Sequence, residues 1–188
     1  MKYFTPQLWI GFNSPRSRAA LKTWDRRYKA YKKNLKAVLP GLNSQARRFF
    51  QDALVLHDWT LSRLEVGDRI WNPIGEGRRG ESNRRKMAVH MFVLSDSYDR
   101  IYELEYKDVT RIDLNFPGKL ELFPVGAYPN FGDWGYDEVT LVCKGLFRHE
   151  ILFASGATII VEFKKLKFRR KAAEKSKERS AVLVQNDW

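Results

Sequence analysis

The spacing of apolar residues predicts a long amphipathic helix near the beginning of the chain. A Ser14-Pro15 pair, which favours a helix start, and a Pro40-Gly41 pair, which favours a stop, enclose apolar residues at alternating intervals of three and four. These residues are Leu21, Trp24, Tyr28, Tyr31, Leu35 and Val38. Such a stripe must be buried, so one face of this helix is expected to pack against the rest of the protein.

A second, shorter helix is predicted after a cap at Asn43 or Ser44. Its apolar residues also follow a helical spacing, and the helix is expected to end near His57 and Asp58. They are Ala46, Phe49, Phe50, Ala53 and Leu54. The chain therefore begins with two helices that both have an apolar face.

From residue 59 onward the apolar period changes to that of strands. Residues 102–107 and 111–116 alternate between apolar and polar positions, which predicts strands with one face in water. Residues 87–94 are apolar at nearly every position, as in a more central strand. Hairpin turns are predicted at Lys144-Gly145 and Ser155-Gly156, because glycine tolerates the positive φ that tight turns require.

This order of elements predicts an α+β fold, in which two N-terminal helices pack on an antiparallel, hairpin-rich sheet that is a meander or partly curled. The expected organisation is a single domain over residues 1–168, with a helical part in 1–58 and a sheet part in 59–168. Residues 169–188 are expected to form a basic tail that is helical or disordered.

The charge of the chain is concentrated at its two ends. Residues 1–50 contain 12 Lys and Arg against one acidic residue, residues 51–163 contain 13 against 18, and residues 164–188 contain nine against three. Basic ends of this kind attract polyanions or dock on acidic surfaces. The basic residues of the long helix are interpreted as surrounding its apolar stripe rather than forming one strip, which counts against nucleic-acid binding.

The composition also limits the setting of the protein. The single cysteine, Cys143, allows no disulfide within the chain and is expected to be a small buried residue in a strand. No segment has the length or the apolar character of a membrane span or a signal peptide. We therefore expect a cytoplasmic location and no membrane partner.

Three segments resemble several uncharacterised bacterial families, some of which are grouped with immunity proteins of toxin systems. The main one is residues 49–68, with Leu56-His57-Asp58 between a helical and a strand segment; the others are the opening residues 1–6 and the hairpin 150–163. Trp59 departs from the pattern, because the position after His-Asp is commonly small in those families. The resemblance implies a small α+β protein without an established activity.

His57 and Asp58 are the candidate catalytic residues. They offer an acid and base pair, or the start of a metal site with His90 and His149 as further ligands. The three histidines lie on separate elements and lack the spacing of a metal motif, so the favoured interpretation gives His57 a structural role at a helix end and predicts no metal and no cofactor.

Two further segments contain candidate binding residues. Residues 75–80 match a dinucleotide-binding pattern by letter but lead into a strand, so a loop is predicted, and it carries basic side chains for an anionic partner. These are Arg78, Arg79, Arg84, Arg85 and Lys86. Residues 128–138 are predicted to be a long connection, which offers Trp134 and Tyr136 to a ligand or Asp133, Asp137 and Glu138 to a cation.

The sequence favours a noncatalytic protein that binds a macromolecule, with a protein partner in an immunity-like role as the first hypothesis. The alternative is nucleic-acid binding through the basic N-terminal helix, the 75–86 loop and the C-terminal tail. In a third hypothesis the basic helical part docks on the acidic sheet, within one chain or between copies in a homo-oligomer. A hydrolase or metal-dependent enzyme that uses His57 and Asp58 is the least favoured.

Overall fold

The computed structural model describes residues 1–13, 18–51, 56–68, 86–116 and 131–172. Within these ranges the helices are α1 (Pro6–Asn13), α2 (Arg18–Val38) and α3 (Ser44–Gln51), and a short 3-10 helix, Leu39–Gly41, follows α2. The strands are β1 (Thr60–Asp68), β2 (Met87–Leu94), β3 (Arg100–Lys107), β4 (Arg111–Asn115), β5 (Trp134–Cys143), β6 (Leu146–Phe153), β7 (Thr158–Phe163) and β8 (Lys165–Ala172). The protein thus has the α+β fold and the antiparallel strands that the sequence predicts, but the strands form two sheets where one was expected.

Helix α1 is an element that the apolar spacing does not predict. Thr5 precedes it and accepts a hydrogen bond from the backbone N–H of Leu8 at 3.3 Å, while Pro6 occupies its first position. A Thr-Pro pair is the same kind of start signal as Ser14-Pro15, so this signal was present in the sequence. The helix was missed because eight residues are too few to establish a helical period.

The strands form two four-stranded sheets in which every pairing is antiparallel. Sheet A has the order β1-β2-β3-β8 and sheet B the order β4-β7-β6-β5. Gly145 and Gly156 both have a φ of 77°, in the turns before β6 and β7, so both predicted hairpin turns are confirmed. Each of these turns needs a backbone conformation that only glycine adopts at little cost.

The two sheets are joined through a shared ribbon. Strand β3 leads directly into β4, and β7 leads directly into β8, so the same two stretches of chain pair in both sheets. At the junction the N–H of Lys164 donates to the carbonyl of Lys107 at 3.1 Å, and the N–H of Thr110 donates to the carbonyl of Glu162 at 2.9 Å. A bridge between Thr60 and Asp133 connects the start of β1 to the segment before β5.

Side chains from the helical part hydrogen-bond to the outer strand of each sheet. On β5, the hydroxyl of Tyr31 accepts the N–H of Val139 at 3.2 Å, and the amide of Asn34 donates to the Val139 carbonyl at 3.1 Å. On β8, the amide of Asn43 pairs with both the N–H and the carbonyl of Leu166, at 3.1 and 2.8 Å. These bonds satisfy polar groups that an outer strand otherwise leaves open.

Several positions differ from their predicted structure. Strand β5 begins at Trp134, so residues 134–138 are part of a strand and not of a long connection. Cys143 is exposed at the end of β5, because the strand extends beyond the body of the sheet and residues 141–145 are all exposed. Residues 169–172, assigned by the sequence to the tail, belong to β8, and residues 173–188 lie outside the described ranges.

The core lies between the sheets and the helices. Its largest fully buried side chains include Trp134, Tyr106, Phe147 and Phe163, and α3 contributes Phe50, whose ring centroid is 4.9 Å from that of His149. Across the described part of the chain, no helix combines the length and the apolar character that are needed to cross a membrane.

Candidate functional site

The exposed face of α2 carries a single row of basic side chains, which we call the basic stripe. Its five members are all exposed and follow one another at intervals of four, three, four and three residues. They are Lys22, Arg26, Lys29, Lys33 and Lys36. Because each residue advances about 100° around a helix, the stripe lies roughly opposite the apolar stripe that ends in Tyr31, Leu35 and Val38.

The sequence interpretation spreads the basic residues of the helix around its apolar stripe, and two of them do lie away from the row. Arg27 Nη1 donates to the carbonyl of Lys2 at 3.0 Å, and Lys32 Nζ lies 5.4 Å from the centroid of the Tyr28 ring. Arg18, at the first position of α2, is also exposed. The five members of the stripe share one exposed side of α2.

The acidic residues of the sheets are paired with basic residues of the sheets. In the described part of the chain, Glu105 lies 2.8 Å from Lys107, Glu103 lies 2.9 Å from Lys171, and Glu162 lies 2.7 Å from Arg148. The other ion pairs between described side chains join residues of the strands or of the segments next to them, and none involves α2. Among the described residues of one chain, the basic stripe therefore has no acidic partner on the sheets.

His57 and Asp58 lie in a turn before β1 and form a close pair. His57 Nδ1 is 2.8 Å from Asp58 Oδ2, and the side chain of Asp58 is 69% exposed. The His57 ring packs beside Tyr136 and Trp9, with centroid distances of 5.3 and 6.2 Å. Asp58 has a φ of 64° and its N–H donates to the Trp134 carbonyl at 2.9 Å, so the pair also fixes the turn that leads into β1.

A second histidine belongs to a buried hydrogen-bonded chain. His149 is fully buried; its Nε2 lies 2.8 Å from Asp137 Oδ2 and its Nδ1 lies 2.7 Å from the Tyr106 hydroxyl. Because the carboxylate accepts from Nε2–H, the Tyr106 hydroxyl donates to Nδ1. Trp134 Nε1 donates to the other oxygen of Asp137 at 3.3 Å. Burial raises the pKa of Tyr106 well above its ordinary value, with a further contribution from Asp137.

This chain joins β3, β5 and β6 inside the protein, and its closed position gives it a structural role. A substrate has no route to a histidine with no exposed surface and neighbours on both ring nitrogens. His90 lies apart from it on β2, opposite Glu65 and Glu105 in the strand register. Among the described residues, no three His, Cys, Asp or Glu side chains are grouped so that they could hold a metal ion.

The aromatic residues that the sequence offers to a ligand belong to the core. Trp134 and Tyr136 are 1% and 7% exposed. Tyr136 packs among Phe4, Trp9 and Trp24, with ring centroids 5.4, 4.7 and 4.6 Å away. Burial raises the pKa of Tyr136 to about 12, with a smaller contribution from the charge of Asp58. These two rings are held in place by their neighbours and present no open face.

The acidic residues of the same segment have separate partners. Glu138 is fully buried and its carboxylate accepts the backbone N–H groups of Lys2, Tyr3 and Phe4, the last two at 2.8 and 3.2 Å. Asp133 Oδ1 accepts from the Thr60 hydroxyl at 3.5 Å. Asp137 belongs to the buried chain with His149. The three carboxylates therefore do not converge on a shared cation.

The predicted basic loop is described only at its end. Arg78, Arg79, Arg84 and Arg85 lie outside the described residues. Lys86 is exposed, and its Nζ is 3.1 Å from Asp108 Oδ1 across the β2–β3 pair. Lys86 thus has a carboxylate partner, whereas no member of the basic stripe has one in the described part of the chain.

Comparison of this chain with protein-family models, with curated proteins and with solved structures finds no match.

Proposed function

We propose that this protein is a noncatalytic nucleic-acid-binding protein whose contact surface is the basic stripe of α2. The observation that carries the proposal is the stripe itself, in which five exposed cations form one row with no acidic partner among the described residues. Phosphate groups are the ligands that such a row suits, because each contact releases counterions from the nucleic acid.

The dimensions of the stripe support this proposal. Fourteen residues separate Lys22 from Lys36, which corresponds to about 21 Å along an α-helix. The five cations are therefore spaced at about 5 Å intervals, in a region where the one acidic residue of the helix is Asp25. Binding through such a row depends on charge and so weakens steeply with salt.

A protein partner in an immunity-like role is the competing proposal. The cores of protein–protein interfaces are enriched in aromatic residues and depleted in lysine. The basic stripe has four lysines and one arginine, and the aromatic residues of α2 face the core. This composition favours a phosphate backbone over a protein surface.

The test is a binding titration by fluorescence anisotropy with a labelled duplex of about two helical turns. If the five cations of the stripe each neutralise one phosphate, the logarithm of the binding constant should fall with the logarithm of salt concentration with a slope of about −4.5. The triple variant Lys22→Gln, Lys29→Gln, Lys36→Gln should bind more weakly. Its slope should be less negative by about 2.7, because three phosphate contacts are lost.

The matched control is Lys144→Gln, Lys164→Gln, Lys165→Gln. These three lysines are exposed and lie outside α2, so both triple variants lose the same net charge. The control should keep the wild-type slope. Equal loss in both triple variants would show that only net charge matters, and absence of binding to any nucleic acid near physiological salt would leave the protein-partner proposal in its place.

A further inference from the structure

We infer that the nucleic acid is double-stranded and that α2 contacts one of its phosphate backbones without reading bases. This inference rests on the proposed function and specifies the substrate of the basic stripe. A duplex holds the phosphates of each strand in a regular row, one per about 3.4 Å along its axis. Laid along the duplex, a straight row of cations about 21 Å long covers the rise of about six base pairs, and its members contact phosphates where the winding backbone passes the row.

Only the outer side of α2 is open to a partner. Its inner face is buried through Tyr31, Leu35 and Val38, and the side chains of Tyr31 and Asn34 hydrogen-bond to β5. Helix α1 also packs beside it. A nucleic acid therefore meets α2 through the basic stripe, whose long side chains reach phosphates first.

The stripe consists mainly of lysine, whose ammonium group is a point charge and not a planar fork. Asn34 is the only Asn or Gln in α2, and its amide is bound to the Val139 carbonyl. On one side of the stripe lie the exposed alanines Ala19, Ala30 and Ala37, which add no polar group. Lysine acts on a phosphate as a point charge, so contacts of this kind position a duplex but carry no sequence information.

The surface also lacks the stacking groups that single-strand binding uses. Trp24 and Tyr28 are packed against the core, and Lys32 Nζ lies 5.4 Å from the centroid of the Tyr28 ring. The exposed aromatic side chains of the described residues are Tyr98, in the turn between β2 and β3, and Phe116, after β4, so neither is on α2. Single strands owe much of their affinity to stacking on such rings.

The experiment compares wild-type binding to four labelled probes of equal length at one salt concentration. They are an AT-rich duplex, a GC-rich duplex and one single strand of each composition. The duplexes should bind roughly fivefold or more tightly than the single strands, because their charge density is higher and no stacking compensates the strands. The two duplexes should agree within about twofold, because phosphate contacts do not distinguish sequences.

Three other results would each contradict a specific claim. Single strands that bind as tightly as duplexes would overturn this inference while the proposed function stands. A tenfold or larger difference between the two duplexes would show base reading and would overturn it in the same way. Absence of binding to all four probes would remove the proposed function together with the inference.

Discussion

Gly135 determines how the aromatic cluster around Tyr136 can pack. A Cβ atom at this position would lie 2.1 Å from Cζ3 of Trp9 and 2.9 Å from the carbonyl oxygen of Leu152. The Trp9 ring occupies the space over the glycine and contacts Tyr136 edge-on at 4.7 Å. A side chain and a backbone atom therefore both exclude any larger residue, and α1 is attached to β5 through this contact.

Replacement of Gly135 by alanine should destabilise the protein by about 1–3 kcal/mol, because Trp9 must move out of its place over β5. Chemical denaturation followed by tryptophan fluorescence would measure this change. The control is Gly67→Ala, since a Cβ at Gly67 meets nothing within 4 Å. If Gly135→Ala were as stable as Gly67→Ala, the close packing of Trp9 on Gly135 would be contradicted.

Single residues also differ in how well their role can be predicted from the sequence. The spacing of Lys22 and the other members of the stripe is present in the sequence, but it was interpreted as a spread around the helix, because only contacts with the rest of the protein separate the row from Arg27 and Lys32. Tyr136 could not be assigned in this way, since its neighbours Phe4, Trp9 and Trp24 come from distant positions in the chain. Whether a residue is buried depends on packing neighbours that lie far away in the sequence, and the local spacing of apolar residues does not identify them.

At the scale of elements, side chains from the helical part take the place of a missing neighbouring strand. Asn43 gives the clearest case, because its amide makes the two bonds to Leu166 that a paired strand would make. The sequence indicates Asn43 as a helix cap. The structure places its backbone carbonyl at the first bond of α3, to the N–H of Arg47 at 2.9 Å, while its side chain is turned to β8.

The variant Asn43→Ala should lose about 1–3 kcal/mol of stability, because the N–H and carbonyl of Leu166 are left without these partners in a partly buried position. In hydrogen exchange, the backbone amide of Leu166 should show the largest increase in exchange rate. Gln45→Ala, at an exposed position on the same helix, is the control and should have little effect. Unchanged protection of Leu166 in Asn43→Ala would refute the proposed role of Asn43.

The strands show how far elements follow from local sequence. Strand β2 covers the residues predicted for it, 87–94, and lies between β1 and β3 with one face buried and the other half-buried. Strand β5 begins earlier than predicted, at Trp134, since Gly135 and two acidic residues obscure its alternation. Asp137 and Glu138 belong in a strand here because His149 and the backbone of residues 2–4 satisfy their carboxylates.

At the scale of the whole molecule, three buried tyrosines link stability to alkaline pH. Burial raises the pKa of Tyr31, Tyr106 and Tyr136, and the charge of Asp137 adds to the first two. Each phenol is protonated in both states below its unfolded pKa of about 10. Above that pH it ionises first in the unfolded chain, so stability is lost as pH rises.

For Tyr136 the affected pH range lies between the ordinary tyrosine pKa of 10.0 and its pKa of about 12 in the folded protein. The variant Tyr136→Phe should therefore lose stability less steeply than wild type as pH rises across this range. The slope of its unfolding free energy against pH should lack the contribution of about one proton, the one that Tyr136 releases on unfolding. Urea titrations at a series of pH values would measure both slopes. Identical slopes would mean that Tyr136 ionises as readily in the folded protein as in the unfolded chain.

The sequence by itself determined the α+β class and the antiparallel strands with their glycine turns, because each depends on neighbours within a few residues. Only the tertiary structure decided that the basic row of α2 has no acidic partner among the described residues, that Trp134 and Tyr136 are core residues, that His149 is joined to Asp137 and Tyr106, and that the acidic side chains of the sheets are paired with basic side chains of the sheets. These facts depend on contacts between residues far apart in the chain, and the free energy of burial and pairing is fixed only when such residues meet.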